Sequence, residues 1–566
     1  MPPPWHRGQA GSSRERGKRT VRPFSVSPMV TRRLRHRVQV SFILMLAASC
    51  APSAGKYPGV AIPIPETTEV PTEVRDTPTV EVQPTATAIT VGPEPEDFPA
   101  GFNPLTGLLA AQPELLRLPA LLVSIPHFPP QARPQAGLSY APWVFEYLIS
   151  SGSTRLLGVF YGEFPNAETP LAGPCETRVG PIMETQNLIG NRVWLDADND
   201  GVQDSGERGM GGVCIRLLDA TGQSELARTS TDSNGFYAFD VDPFESYIVE
   251  FDAGDAGFSP PDVGDEDNDS DANPTTGRSG PWVAPSSLLH VDAGVQPTPP
   301  GQSSTSSGPQ GEVGPVRSAR LVNIHIHDFF QDSCLIYAGS TREIRDQVPH
   351  CAEVFKEGDG GVGAMLDVSR MVVLAEKNGI NQGTVFNYTG NVFSEQVPPG
   401  GYPAIRLDVY VAELNQSAWI FDSASRGWLR YVDSVDKEHP GLLHPDTDRI
   451  TDRQLYFDNI IVLYVEHEVL APAIIDMYLQ QGETGDAVLF RDGMMYELVW
   501  STRAGTYEQR TGLRRPLALT DESGNPFPLR PGRSWFIIAT PFSELELRGE
   551  GSLRLRIVPP EGAGDY

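Results

Sequence analysis

Twelve consecutive residues, 196–207, carry side chains whose types and spacing suit a hard divalent cation. Acidic residues occupy positions 1, 3, 5, 9 and 12 of this stretch, and glycine occupies position 6. Calcium takes about six to eight oxygen ligands, and these carboxylates can surround it if the backbone turns sharply at Gly201. We therefore predict a calcium site, the alternative being a solvated acidic turn. Its ligands would be Asp196, Asp198, Asp200, Val202 through its carbonyl, Asp204 and Glu207.

The elements beside this loop are predicted to be strands. The ligand register is that of an EF-hand, but an EF-hand loop lies between two helices. After the loop, Val213, Ile215 and Leu217 alternate with other residues, as on one face of a strand. Further short alternating runs, separated by turn-forming residues, continue to residue 295. The stretch 188–295 is therefore predicted to be a small all-β sandwich.

A second group of acidic residues lies later in the same stretch. Residues 188–295 contain 21 Asp and Glu, five Arg and no Lys, so their carboxylates repel one another unless cations neutralise them. We predict a second, weaker calcium site, and the alternative is again a solvated loop. The candidate ligands are Asp262, Asp265, Asp267, Asp269 and Asp271.

Residues 188–295 also resemble the B-type repeats of serine-aspartate-rich bacterial surface adhesins, which are related to the collagen-adhesin B fold. The resemblance is carried by Gly190–Asp196, Asp198–Gly201, Asp204, Glu207, Thr231–Gly235, Tyr237, Phe239 and Asp269–Asp271. It implies a prealbumin-like, immunoglobulin-like sandwich that calcium makes rigid. Some relatives contain a Lys–Asn isopeptide bond instead, but no lysine occurs here between Lys56 and Lys356.

Charge divides the chain into a basic start and an acidic body. Residues 1–49 carry ten Lys and Arg and one acidic residue, whereas the rest carries 34 Lys and Arg against 71 Asp and Glu. So acidic a body is not expected to bind nucleic acid. The basic residues precede an apolar run, 38–48, which has the length of a signal sequence and is too short to span a membrane.

This N-terminal segment predicts export and lipidation. We assign residues 1–49 to a signal peptide, with Met29 as an alternative start. A small residue precedes Cys50, as in a bacterial lipobox, although Leu46 stands one position earlier than usual. Cys50 is therefore predicted to carry lipid and to hold the protein on the outer face of the cytoplasmic membrane. Ordinary cleavage and secretion is the alternative.

The remaining chain predicts a tether and a body that is interrupted once. Residues 50–99 are rich in Pro, Thr, Glu and Val and predict a disordered tether. The body is predicted to be α+β (mixed α/β), with a helix over 362–377. The predicted domains are a split N-terminal module at 100–185 and 311–440, an insert at 186–296, a linker at 297–310, and a C-terminal module at 441–560.

These host segments resemble the YerB-like family of bacterial lipoproteins, whose function is not established. The resemblance is carried by Asn103–Gly107, Ala132–Ser139, Glu146, Thr154–Arg155, Val313–Arg320, Asp452–Phe457, Asn459–Tyr464, Gly485–Phe490, Asp492–Gly493, Leu498–Trp500, Leu529–Gly532 and Trp535–Ile538. It says almost nothing about chemistry. Four further cysteines allow up to two disulfides, and Cys334–Cys351 is the pair we suggest.

An arginine loop is the best candidate for a site in the host. Arg317 and Arg320 follow a Gly-Pro turn and could hold a phosphate, a carboxylate or an anionic cell-wall polymer, with Arg155 and Glu146 nearby. The alternative is an internal Arg–Glu pair that holds the loop to the core. In a strand, His325 and His327 would share a face, but spacing places no further metal ligand beside them.

Taken together, the sequence predicts a bacterial cell-envelope lipoprotein with a binding or structural role rather than catalysis. Neither a G-x-S-x-G elbow nor a P-loop occurs. Calcium is the expected cofactor. The expected partners are the membrane, through the lipid, and a cell-wall polymer or a surface protein. The alternative is an enzyme or sensor of envelope polymers that uses the Arg317/Arg320 loop.

Overall fold

The computed structural model describes most of the chain after residue 89. The described residues are 90–165, 175, 178, 180–182, 186–204, 207–232, 234–254, 256–296, 311–348, 352–355, 364–381, 386–434, 439, 441–451 and 453–564. They all belong to one unit, which spans residues 82–566. The predicted signal peptide, Cys50 and the linker at 297–310 lie outside the described residues. Residues 90–99, assigned above to the tether, contain a strand and a 3-10 helix.

The predicted insert is a β-sandwich, as expected. One sheet has the strand order Phe236–Asp240, Leu188–Leu195, Ala293–Val295. The other has the order Arg278–Val283, Ser246–Asp252, Cys214–Asp219, Glu225–Ser230. Val213, Ile215 and Leu217 are buried in the core between the sheets, on the face that their alternation predicts.

An eleven-stranded sheet forms the centre of the host. In spatial order its strands are Ala352–Phe355, Cys334–Ala338, Leu121–Pro126, Ser153–Phe160, Trp143–Ser150, Ser534–Ala539, Asn459–Tyr464, Thr484–Arg491, Met494–Ser501 and Tyr402–Pro403, with Ala518–Thr520 paired to Met494–Ser501. Every residue of Leu121–Pro126 and Trp143–Ser150 is buried. Strands covered on both faces are expected to read as nearly unbroken apolar runs, as these do.

The middle of this sheet joins distant parts of the chain. Ser534–Ala539 pairs in parallel with Trp143–Ser150 on one side and with Asn459–Tyr464 on the other. One hydrophobic core contains residues from both sides of the insert, from Leu105 to Ile557. The host strands before and after the insert therefore share one sheet and one core.

A second host sheet and four strand pairs complete the β-structure. The second sheet has the order Leu443–Pro445, Gly427–Asp433, Asn415–Asp422, Arg406–Ala412, Ser552–Arg556, Glu544–Gly549, with Tyr456–Phe457 paired to Gly427–Asp433. The strand pairs are Thr90–Val91 with Phe393–Ser394, Phe102–Asn103 with Leu108–Leu109, Glu312–Val316 with Ala364–Asp367, and His467–Ala471 with Ile474–Met477.

The host contains few helices. The α-helices are Leu321–Phe329, Arg342–Arg345, Val368–Asn381 and Thr506–Thr511, and the 3-10 helices are Pro95–Asp97, Pro113–Arg117, Pro130–Ala132 and Leu138–Tyr140. Within the part of the chain that the structure describes, none has the length and apolarity of a membrane span. The predicted fold class, an α+β host with an inserted all-β sandwich, is confirmed.

Two local predictions need correction. The predicted helix at 362–377 begins only at Val368, after the strand Ala364–Asp367. His325 and His327 lie on the helix Leu321–Phe329 and not on a strand, so they do not share a face. His325 contacts Asp476 (Nε2 to Oδ1, 2.8 Å), whereas His327 contacts the Ser333 carbonyl (2.9 Å).

Candidate metal centre and its setting

The predicted calcium loop folds around Asp196. The buried Asp196 carboxylate accepts backbone N–H groups from Asn199 (2.5 Å) and Gly201 (2.9 Å). Gly201 has a φ of +85°, and a Cβ there would lie 2.3 Å from the Pro260 carbonyl oxygen. Only glycine fits this turn, which the ligand spacing requires.

Glu207 closes the loop at its other end. Its Oε1 accepts the Ala197 N–H (2.6 Å), and its Oε2 accepts the Asp204 N–H (3.2 Å). One carboxylate oxygen from each of Asp196, Asp198 and Glu207 lies within 4.8 Å of the others. The same holds for Asp198, Asp200 and Asp204, while the Val202 N–H donates to Asp200 (2.8 Å). The structure thus brings the five predicted acidic ligands together.

The electrostatics of the loop favour a bound cation. The pKa of Glu207 is raised to about 7, chiefly by burial and also by the charges of Asp196 and Asp204, although the hydrogen bonds from the Ala197 and Asp204 N–H groups lower it. Burial also raises the pKa of Asp204, and Asp200, Asp198 and Asp196 add to that shift. Keeping the ionised carboxylates this close together costs desolvation and electrostatic free energy, which a bound cation would offset.

The second acidic segment packs directly on the first loop. The Gln203 N–H donates to the Asn268 carbonyl (2.6 Å), and the Ser270 N–H donates to the Gly201 carbonyl (3.0 Å). Asp269 is only 5% exposed, and its Oδ1 has no hydrogen-bond partner among the described residues. Burial raises the pKa of Asp271 to about 7.

The two acidic segments differ in how closely their oxygens converge. Oxygens that share one calcium ion at about 2.4 Å can lie at most about 4.8 Å apart, which matches the first loop. Among the described residues, no group of three or more that meets this spacing includes Asp262, Asp265, Asp267, Asp269 or Asp271. The loop residues, with their all-oxygen donor set, therefore fit a calcium ion. In the second segment, the unpaired Asp269 oxygen is the feature that favours a cation.

A disulfide and a buried arginine attach the insert to the host. Cys175, which precedes the insert, is bonded to Cys214 of an insert strand, with Cα atoms 5.8 Å apart. Arg178 Nη2 contacts Asp422 Oδ2 of the host (2.7 Å) and Asp232 Oδ2 of the insert (3.4 Å). Sequence reasoning missed both contacts because no local spacing relates these residues.

The suggested Cys334–Cys351 pair is described only in part. Cys334 is disulfide-bonded. Cys351 lies outside the described residues, so this pairing stays a prediction.

Two of the predicted arginines, Arg155 and Arg320, donate hydrogen bonds to residues of the arginine loop. Arg155 Nη1 donates to the Ser318 carbonyl (2.9 Å) and to Ser318 Oγ (3.3 Å). Arg320 Nη1 donates to Ser318 Oγ (3.0 Å) and to the Ala319 carbonyl (3.3 Å). Arg317 is half-buried, and its N–H donates to the Ser124 carbonyl (2.7 Å). Arg155 and Arg320 thus meet at Ser318, as predicted neighbours should.

Glu146 lies on the opposite face of the sheet from these arginines. Its neighbour Tyr147 accepts a hydrogen bond from Asn323 (2.7 Å) at the start of the helix that follows Arg320. Successive residues of a strand point to opposite faces, so Glu146 faces away from Ser318. There its carboxylate accepts hydrogen bonds from Thr154 (3.1 Å) and Trp535 (3.1 Å).

A buried ionic cluster surrounds Glu146. Arg430 contacts Glu146 Oε2 (3.4 Å) and Asp446 Oδ2 (2.8 Å), and its guanidinium carbon lies 4.4 Å from the Trp535 ring centre. His127 Nε2 lies 3.2 Å from Arg430 Nη2 and 3.1 Å from Arg133 Nη2. The two guanidiniums make this nitrogen an acceptor, and burial, then Arg133 and Arg430, hold the pKa of His127 well below its usual range.

Comparison with known families confirms both resemblances. Residues 187–295 match the SdrD B-like domain. Residues 105–182 match the N-terminal domain, and residues 407–536 the C-terminal domain, of a protein family of unknown function, DUF3048. The two DUF3048 matches flank the insert, in agreement with a host that is interrupted once.

The individual matches are of two kinds: sequence relatives of the insert, and a solved structure that matches most of the chain. Serine-aspartate repeat-containing protein C of Staphylococcus aureus strain Newman is 40% identical over 114 residues, which is 20% of this chain and 11% of the relative. The same protein of strain MRSA252 is 39% identical over 114 residues, or 20% and 12%. The crystal structure of the YerB protein from Bacillus subtilis covers 77% of this chain and 96% of that chain, at 15% identity and a TM-score of 0.40.

Proposed function

We propose that this protein is an exported bacterial envelope protein with a binding or structural role, whose inserted sandwich is made rigid by calcium. Lipid on Cys50 would hold it on the outer face of the cytoplasmic membrane, and without that lipid it would be secreted. A cell-wall polymer or another surface protein would be its partner. The whole adhesin-type relatives are much longer than the matched segment, so their activities are not transferred.

The observation that carries the calcium proposal is the convergence of the loop carboxylates. Five acidic side chains at the required positions form two groups of three that share Asp198, and in each group the oxygens lie within 4.8 Å of one another, the spacing that one ion allows. The ion would offset part of the negative charge of the insert, since residues 188–295 contain 21 Asp and Glu against five Arg. Asp196 and Glu207 tie the two ends of the loop to its backbone, so an ion held by both would stiffen the whole loop.

The arginine loop gives less support to the alternative, an enzyme or sensor that holds an anionic polymer. The guanidinium groups of Arg155 and Arg320 donate hydrogen bonds to Ser318, which lies in the loop itself. Glu146 belongs to the separate cluster around Arg430. The structure therefore favours the role of these arginines in fixing the loop to the sheet.

Calcium titration of the full-length protein tests the first part. We expect calcium to raise the melting temperature of the chelator-treated protein, and a concentration 100-fold above Kd should stabilise it by about 2.7 kcal/mol. D196N should lose most of this gain, because it removes a central ligand charge. D240N changes an exposed insert aspartate outside the loop and should keep the gain. Calorimetry that detects no calcium uptake by the wild-type protein would refute the proposal.

Metabolic labelling tests the anchor. Labelled palmitate should appear on the protein in its bacterial host and vanish in C50A, because this cysteine is the predicted acceptor of the lipid. S53A, three residues after Cys50, is the matched control and should keep the label. Label that persists in C50A would contradict lipidation at this residue and leave the secreted form.

A further inference from the structure

A turn of the insert that contains Asp232, Asn234 and Gly235 contacts the host. Within the turn, Asp232 Oδ1 accepts the N–H groups of Asn234 (2.9 Å) and Phe236 (3.0 Å), which fixes its shape. From the host side, Arg533 Nη2 donates to Asn234 Oδ1 (3.0 Å). A host arginine therefore holds the turn through the side chain of Asn234.

Arg192 links this turn to the calcium loop. It lies on the strand Leu188–Leu195, one strand away from the turn in the same sheet. Its Nε donates to the Asn234 carbonyl (3.1 Å), and its Nη2 donates to the Glu207 carbonyl (3.3 Å). A single rigid guanidinium thus bridges the last residue of the loop and the residue that Arg533 holds.

The contacts continue into a host loop, residues 137–140, which we call the Ser139 loop. Arg533 Nη1 donates to the Ser139 carbonyl. Ser139 in turn donates to Asp448 Oδ2 through its N–H (2.9 Å) and its hydroxyl (2.7 Å), and the Gly137 N–H donates to Asp448 Oδ1 (2.9 Å). A series of hydrogen bonds, made partly by side chains and partly by backbone groups, therefore runs from Glu207 to Asp448.

We propose that Arg192, Asn234 and Arg533 couple calcium binding in the insert to the order of the Ser139 loop. The proposal rests on the proposed calcium site and adds a regulatory role to it. Without the ion, repulsion among the loop carboxylates displaces the Glu207 backbone, and Arg192 passes that displacement to Asn234. With the ion, Glu207 and the turn are fixed together, and Arg533 holds Ser139 in place.

Coupling of this kind is reciprocal. If calcium orders the Ser139 loop, then weakening the host contact must lower calcium affinity by the same factor. Arg533 contacts the insert at Asn234 Oδ1, and Arg192 joins Asn234 to Glu207, so an effect of an Arg533 substitution on calcium affinity would follow this route. The Cys175–Cys214 disulfide and Arg178 keep the insert attached in such a variant.

The test is calcium calorimetry on the full-length wild type, R533Q and N234A. We expect Kd to rise about fivefold or more in both variants. R515Q is the control, because Arg515 is a buried host arginine that pairs with Glu508 (2.7 Å), within the host. Its Kd should equal that of the wild type. N234A removes one side chain from a turn and serves if R533Q does not fold.

Hydrogen exchange gives the second readout. Calcium should slow exchange of the peptide that contains residues 137–140 in the wild type and in R515Q, but not in N234A. Wild-type calcium binding with an unchanged Kd in R533Q and N234A would overturn the coupling and leave the calcium site standing. A wild type that binds no calcium would overturn the proposed site and the coupling with it.

Discussion

The calcium loop and the cluster around Glu146 hold carboxylates in opposite ways. In the loop, Asp196 and Glu207 are buried beside other acids, and their hydrogen bonds come from backbone N–H groups. In the cluster, Glu146 and Asp446 are buried on the two sides of Arg430. The Glu146 cluster contains its own countercharge, whereas the loop at 196–207 contains no basic residue.

This difference shows why the same residue types have different consequences. A buried carboxylate is costly unless it is paired or bound to a cation. In the host, Arg430 from a strand distant in sequence pairs with both carboxylates, so the cluster needs no added cation. The loop contains no arginine within its 12 residues, so an ion from solution would have to supply the countercharge for its carboxylates.

Removal of the internal countercharge should give the largest effect. R430M leaves Glu146 and Asp446 buried without their partner, and we expect it to lower the free energy of unfolding by about 3–5 kcal/mol. Urea unfolding followed by tryptophan fluorescence measures this, since Trp419 and Trp535 flank the guanidinium. Added calcium should leave the difference in stability between R430M and the wild type unchanged. R548M, which breaks an exposed pair with Glu546, should cost less than about 1 kcal/mol.

Neutralising one carboxylate in each region should give effects of opposite sign. E146Q loses charge-assisted hydrogen bonds from Arg430 and Trp535 and should destabilise the protein by about 1.5–3 kcal/mol. D204N relieves repulsion from Asp200 and Asp198, so the chelator-treated protein should become slightly more stable at pH 8 while losing calcium affinity. Equal destabilisation by both variants would show that the two regions do not differ as described.

The smallest expected effect concerns His127. Its pKa is lowered in the folded protein, so below about pH 6.5 the unfolded chain binds a proton that the native state does not. The contribution of His127 to stability is present above pH 6.5 and should decrease as the pH is lowered below that value, by at most about 1.4 kcal/mol per pH unit. Urea unfolding between pH 7 and 5.5 measures this slope. H127Q should flatten it, whereas H444Q, at an exposed site, should keep it.

The helix at Leu321–Phe329 shows a signal that was present in the sequence and overlooked. Leu321, Val322, Ile326 and Phe329 are buried, and their spacing of three to four residues is that of a helix. His325 and His327 would share a face only in a strand, and this helix excludes that arrangement. By contrast, the predicted face of Val213, Ile215 and Leu217 is correct, because a strand's alternation is unambiguous when both flanks are turns.

What the sequence determined by itself is the acidic loop at 196–207, the β-sandwich around it, and the interruption of the host. The ligands of the loop lie within 12 residues, so their spacing along the chain already sets their geometry. Only the tertiary structure decided the partners of Glu146, Arg178 and Arg192. Arg430 lies 284 residues from Glu146, and Arg533 lies 299 residues from Asn234. Contacts over such separations depend on which strands become neighbours, and no local pattern of residues specifies that.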